Sequence, residues 1–512
     1  MNSRQMKYFT CLFRCAASLV FCLGFNQNIW ANNLSISNLS FTQNQLVQCQ
    51  ISWENSWLSA VGQTPDNHDA VWVFVKVKGT DGIWRHLDLA QNHLVTGNLQ
   101  IQNVSDHKGI FVRRNAAGEG LSQGSISLQI ADNQLTAGNY QLKIFGIEMA
   151  YVPQSAFWVG DTLSNNTLRS GAKNTPFQIS SENAISIGST AQSLYGNTDN
   201  QPQGEAIAAT FPKGFAGFYA MKYEITQEQY ADFLNSLTSM QQTARTAVSP
   251  SLSAGTNALG SGNMARNGLI IATPATSTQA AIYACNANNN TVYNEADDGQ
   301  NRACNWLNWN DLAAYLDWAA LRPMTELEFE KAARGTTYPA PRDMAWGTNL
   351  VTDANTTAQD GTAAESVTET VTGDYGLSNH ALAFGQTYLW GVLRVGFGAT
   401  AASNRLSAGA SQYGLMELSG NVWETCVSVS KTEGLLFEGT HGDGALSEAG
   451  EANANTWPTP NGAINRGGGW NSLVYNTLTY QFRDLAVSDR FYANTAPSAR
   501  RNTSGGRGVR TF

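Results

Sequence analysis

The sequence predicts an α+β chain: a β-sandwich at the N-terminal end, followed by a larger, loop-rich domain with few, short helices. Three observations carry this. Residues 32–145 hold short β-like runs separated by turn signals, as in Val71–Val77 (VWVFVKV), Ile126–Ile130 (ISLQI) and Tyr140–Phe145 (YQLKIF). Helical periodicity with start signals is confined to a few later segments. The composition, with Gly 47, Trp 14 and Tyr 17 in 512 residues, fits long loops pinned by aromatic anchors better than a helical bundle.

The first 31 residues read as a signal peptide. Arg4, Lys7 and Arg14 precede the apolar run Cys15–Phe25, and Ala31 supplies a small residue for cleavage. The run is too short to span a bilayer, and no later stretch supplies a transmembrane segment. The expected location is therefore secreted, cell-surface or periplasmic. A lipid anchor at Cys22 is the alternative, although bulky Phe21 stands where a small residue belongs. A net charge of −8 argues against a nucleic-acid partner.

Three of seven cysteines (Cys11, Cys15, Cys22) fall in the expected signal, leaving Cys49, Cys285, Cys304 and Cys426. Cys285 and Cys304 flank a polar loop. A disulfide across it would stabilise an exported protein by roughly 3 kcal/mol in the chain-entropy model; two unrelated thiols are the other reading. In 32–145, Trp53, Trp57, Trp72 and Trp84 are expected packing anchors. His68, His86, His93 and His107 lack a second ligand at metal spacing and read as surface or packing residues.

The larger domain spans 146–512, with polar insertions expected at about 162–205, 240–300 and 352–388. A helix should start after Thr226, whose capping box with Gln229 precedes Tyr230, Phe233, Leu234 and Leu237 on one face. A second fits 310–320. A third should open at the Thr325/Glu328 capping box and end at Gly335. His441 and Asp443 are read as a solvated turn rather than an acid/base or metal pair. The arginines of 464–512 are expected to bond carboxylates and carbonyls inside the domain.

The stretch Tyr413–Glu424 (YGLMELSGNVWE) fits neither helix nor strand. Gly414 and Gly420 admit backbone conformations closed to other residues. Glu417 and Glu424 bring hard oxygen ligands, and a turn through Gly420–Val422 would add carbonyl oxygens, a set suited to calcium. A glycine turn with two solvated glutamates is the alternative.

The stretch resembles the GLYDMSGNVWEW segment of the formylglycine-generating enzymes, or sulfatase-modifying factors. Other segments resemble that family in its order: Phe218–Leu237, Trp309–Gly335, Ala345–Gly347, Arg466–Trp470 (RGGGW) and Gly505–Arg510 (GGRGVR). The resemblance implies a calcium-supported, C-type-lectin-like fold. It places calcium on the Glu417 and Glu424 side chains and the Gly420 and Val422 carbonyls, with Glu417 one methylene longer than the usual Asp or Asn. A second calcium site should begin near Asn355 and Thr356. The family's enzymes oxidise a sulfatase cysteine using copper held by two thiolates. Here Ser472 and Thr477 occupy those positions, and no cysteine follows Cys426. Copper and the oxidase reaction are therefore not expected, since Cu(I) selects soft ligands.

The expected function is a non-catalytic, calcium-stabilised binding or structural module of the cell envelope or exterior, with a protein or glycan partner. The alternatives are an enzyme of another reaction type (or residual formylglycine-generating activity) on the same scaffold, and a sequence-diversified receptor.

Overall fold

The computed structural model describes residues 11–13, 34–42, 45–131, 134–135, 140–163, 166–196, 201–381, 389–400, 402–472 and 483–512. The described residues are β-rich, with 31% strand and 10% helix. Most of the expected signal peptide, Cys22 included, lies outside the described residues. Cys11–Phe13 is described, as a short strand beside Tyr140–Leu142.

The strand Asp69–Lys78 explains the N-terminal architecture. Its residues alternate between two interiors, as a strand's period of two dictates. Val71, Val73, Val75 and Val77 join Ile36, Val47, Ile51, Ile126 and Leu128, which belong to a separate four-stranded sheet. That sheet is ordered Ser35–Phe41, Leu46–Leu58, Gly118–Gln129, Leu94–Val95. Ala70, Trp72 and Phe74 face the other way, into a core built with Tyr230, Phe233, Leu312, Tyr315 and Trp318 of the helices. Both faces of the strand are therefore buried, and the run VWVFVKV has almost no polar side to show solvent.

The boundary expected at 145/146 falls inside a strand. Tyr140–Val152 pairs with Asp69–Lys78 over most of its length, then at Met149–Val152 with Phe218–Met221. Phe218–Met221 pairs in turn with Gly508–Arg510, and that with Arg322–Pro323. One nine-stranded sheet thus runs from the N-terminal region into the C-terminal one. The joint is reinforced by Arg510, whose guanidinium lies 4.2 Å from the Trp72 ring and donates to Asp106 at 2.5 Å.

The helices expected after Thr226 and Thr325 form at their capping boxes, and the one expected over 310–320 forms over Trp309–Trp318. Gln227–Leu234, Trp309–Trp318 and Glu326–Arg334 are capped by Thr226, Asn308 and Thr325, each in a reciprocal capping box. Gly335 closes the third with φ +78°. A further helix, Ser239–Arg245, carries its own capping box, Thr238 with Gln241. It opens the segment 240–300, which is not wholly peripheral: Leu269, Ile271 and Tyr283 of its hairpin enter the helix core. Segment 162–205 likewise delivers Leu168, Phe177, Ile179, Ile185 and Leu194 to another core, shared with Trp309, Leu327 and Val427.

The expected Cys285–Cys304 disulfide is not formed. Both thiols are free and buried. The polar loop is closed instead by hydrogen bonds: Asn294 accepts from the Cys285 N–H at 2.9 Å and donates its own N–H to the Cys285 carbonyl. The Cys304 N–H is bonded to the Ile225 carbonyl at 2.7 Å.

Candidate functional site

The Tyr413–Glu424 stretch runs through the interior as a chain of left-handed turns. Gly414 (φ +78°), Glu417 (φ +57°), Gly420 (φ +107°) and Asn421 (φ +62°) all have positive φ. Glycine is required at 420 for space as well: a Cβ there would sit 2.2 Å from the Ser378 hydroxyl. Glu417 and Asn421 hold the same backbone region with side chains, at a cost the surroundings must offset.

Asn421 is the hub of those surroundings. Its carbonyl oxygen accepts from Asn379 (3.0 Å) and the Leu393 N–H (2.9 Å), and its amide donates to Glu224 (2.5 Å). Glu224 also accepts from the Val422 N–H at 3.1 Å. The chain then enters the strand Trp423–Val427, where Glu424 pairs with Arg466 on one side and Gly505 on the other.

The structure gathers Glu224, Glu417 and Glu424 into one buried electrostatic cluster with Arg507 and Arg394. The solvated-turn alternative is therefore corrected: Glu417 and Glu424 are buried. Glu417 Oε1 accepts from the Gly396 N–H at 2.9 Å. Glu424 Oε1 accepts from Arg507 Nε at 2.7 Å. Among the described residues, Glu417 Oε2 and Glu424 Oε2 have no hydrogen-bond partner. Burial pushes the Glu417 carboxyl up to about 7, and Glu224 and Glu424 also lie above the usual carboxylate range because burial penalises their charge.

A second cluster lies at the strand Val351–Asp353. Thr356 donates its N–H to Glu369 Oε1 at 2.8 Å. Both Asp353 oxygens, Asn355 Oδ1 and Glu369 Oε2 are hidden from solvent and lack a hydrogen-bond partner among the described residues. His380 Nδ1 lies 3.6 Å from Asp353. Burial, with Glu369 nearby, holds the Asp353 carboxyl up at about 7. Sequence reading reached Asn355 and Thr356 but missed Asp353 and Glu369. Glu369 is far along a polar segment that shows no periodicity, and only the fold returns it to Thr356. No three His, Cys, Asp or Glu side chains among the described residues form a metal-holding group by themselves; carbonyl and amide oxygens would have to complete either set.

Ser472 is buried, and its hydroxyl accepts from the Gly469 N–H at 3.0 Å, closing the turn after RGGGW. Thr477 lies outside the described residues. His441 takes a structural place, accepting from the Thr511 N–H at 3.1 Å, and Asp443 accepts from the Ala445 N–H within its own turn. The C-terminal arginines do bond inside the domain. Buried Arg466 and Arg490 converge on Glu326, and Arg466 also reaches Glu330 at 2.9 Å.

These motifs meet in one domain, and comparison of the whole chain agrees. The model of the sulfatase-modifying factor enzyme 1-like domain matches residues 173–512, more than half of the chain. The chain belongs to the sulfatase-modifying factor enzyme 1-like family. No curated protein matches it. The family match begins after the strand Tyr140–Val152, which shares a nine-stranded sheet with Phe218–Met221 and Gly508–Arg510 of the matched region.

Proposed function

We propose that this sulfatase-modifying-factor-like chain is an exported, calcium-stabilised binding module and not a formylglycine-generating oxidase. The supporting fold reading is a β-sandwich joined to a C-type-lectin-like domain. The observation that carries the calcium reading is the set of buried, unpartnered oxygens on Glu417 and Glu424. A buried carboxylate oxygen without a partner is costly, and Arg507 and the Gly396 N–H satisfy only one oxygen of each group, which leaves the other for a cation or proton. Calcium, a hard ion that takes six to eight oxygens, fits that donor set with the Gly420 and Val422 carbonyls. The Asp353, Asn355 and Glu369 oxygens, beside Thr356, fit a second ion by the same argument. Its role would be structural: to hold two loops that have little regular structure of their own.

The sequence argues against copper. Ser472 offers a hydroxyl where a soft thiolate would be needed. Export rests on the basic and apolar pattern of residues 1–31, and the partner class is protein or glycan. No helix among the described residues is long and apolar enough to cross a membrane.

Thermal unfolding of the chain in calcium and in excess chelator tests the reading. An ion at one hundred times its Kd adds about 2.7 kcal/mol of stability, so chelation should lower the midpoint by several degrees. The double variant Glu417→Gln, Glu424→Gln should lose most of that response. An equal midpoint in calcium and chelator would sink the calcium reading.

A further inference from the structure

We infer that the cavity between the N-terminal region and the family domain is a saccharide-binding site, its platform the indole of Trp57. The proposal rests on the binding-module reading above and names the site and ligand class. The cavity encloses about 510 Å³ and is walled by the end of strand Leu46–Leu58 on one side and by the 399–416 loop on the other. That volume suits one or two sugar rings.

The strand is deformed where it meets the cavity. Its pairing with Gly118–Gln129 slips between Trp53 and Ser56, and Asn55 takes φ +51°. A bulge of this kind re-aims side chains and is over-represented beside binding sites, and a non-glycine residue in the left-handed region is a strain the fold maintains. Here it turns Glu54 and Asn55 to the cavity.

Trp57 is fixed on three sides. Its Nε1 donates to Asn67 at 3.3 Å, and its ring abuts Gly414, where a Cβ would lie 2.9 Å away. Lys222 Nζ sits 4.7 Å from the ring centroid. That ammonium also lines the cavity and lies 3.6 and 3.9 Å from Glu148 and Asp69. Trp57 is half-buried and lines the cavity together with Lys222 and Gly414. Opposite it, Asn404 and Arg405 are exposed, and Arg405 is anchored by donating to the Trp346 carbonyl at 3.1 Å.

This combination selects a ligand class. An aromatic ring, a rim of amide and hydroxyl groups, and one acid (Glu54) with two bases (Lys222 and Arg405), of which Lys222 lies beside Glu148 and Asp69, suit a polyhydroxylated ligand better than a lipid chain. A pyranose presents an apolar C–H face to an aromatic ring and hydroxyls, both donors and acceptors, around its edge.

The test is saturation-transfer NMR and calorimetry on the full chain. The probes are methyl glycosides of glucose, galactose, mannose and N-acetylglucosamine, with their β-1,4-linked disaccharides. At least one probe should bind, with its ring C–H protons receiving the transfer. Trp57→Ala should weaken binding about tenfold or more. Because Trp57 also packs, Asn404→Ala with Arg405→Ala provides a second variant, expected to weaken the same probe with a smaller fall in the unfolding midpoint than Trp57→Ala causes. No binding at millimolar probe, or binding unaltered in both variants, would overturn the proposal. The calcium response reads out separately: a chain stabilised by calcium that ignores every glycoside refutes the saccharide site alone. A chain that binds a glycoside through Trp57 but is indifferent to chelator refutes the calcium reading alone.

Discussion

Arg507 and Glu424 form a fully buried ion pair, with Nε donating to Oε1 at 2.7 Å. The same guanidinium also donates to the carbonyls of Met221, Lys222 and Met416. One side chain therefore ties the central turn to the strand Phe218–Met221 and neutralises part of a three-carboxylate cluster. Removing one partner of such a pair leaves an uncompensated buried charge. Arg507→Met is expected to cost about 3–5 kcal/mol of unfolding free energy, measured by denaturant titration. If calcium sits beside Glu424, the variant should recover more stability from added calcium than the parent does. A loss below 1 kcal/mol would mean that Glu424 is neutral in the native chain.

The join between the N-terminal region and the family domain should respond to pH. Glu148 is buried, neither of its oxygens has a hydrogen-bond partner among the described residues, and Lys222 lies 3.6 Å away. Burial pushes its carboxyl up to about 8, partly opposed by Lys222. A folded-state value above the unfolded one means the native state holds a proton that the unfolded chain gives up. Its contribution is complete below the ordinary glutamate range and is lost as pH rises through 8. Unfolding midpoints from pH 5 to 9 should therefore fall toward the alkaline end. Glu148→Gln should flatten that decline, by an amount on the order of 1 kcal/mol or more at pH 9. An unchanged profile in the variant would place the pH dependence elsewhere.

Much of this arrangement could be read from the sequence where local chemistry decides it. Thr226 with Gln229 and Thr325 with Glu328 act within one helical turn, so their helices appear where the residues demand them. The Gly414–Gly420 stretch announces an irregular backbone because few other residues tolerate positive φ. What escaped sequence reading depends on distant partners. The alternation in VWVFVKV gives a strand but not the fact that Trp72 and Phe74 face helices from the family domain. The run Tyr140–Phe145 reads as the last strand of the N-terminal region, whereas the strand continues to Val152 across the expected boundary. Glu224 lies about two hundred positions before the loop it joins, and its bond to Asn421 leaves no trace in spacing. Glu369 and Asp353 converge through a polar segment that carries no periodic signal at all.

All four cysteines outside the first 31 residues should be free thiols. Cys49, Cys285, Cys304 and Cys426 are each buried, and burial raises every one of them above the ordinary thiol range. Such thiols are protected in the native chain and become reactive only on unfolding. Alkylation in denaturant without reductant should add four groups by mass spectrometry, and in native buffer close to none. Two additions instead of four, with the 285–304 loop linked in the peptide map, would restore the disulfide.

The oxidase prediction turns on Ser472. Its hydroxyl is committed to the Gly469 N–H, its carbonyl accepts from the Ala381 N–H at 3.1 Å, and the side chain is buried in the turn. A hydroxyl so placed is a hydrogen-bonding element of the fold, and it supplies neither the softness nor the thiolate charge that Cu(I) selects. The chain should therefore produce no aldehyde from a peptide bearing a sulfatase cysteine motif in the presence of copper and oxygen, as read by hydrazide capture. The calcium response should persist in the same preparation, because the Glu417–Glu424 turn does not depend on a thiol. Formylglycine formed at a rate proportional to enzyme would show that the family's oxidation can proceed without the cysteine pair, and the binding-module reading would fall.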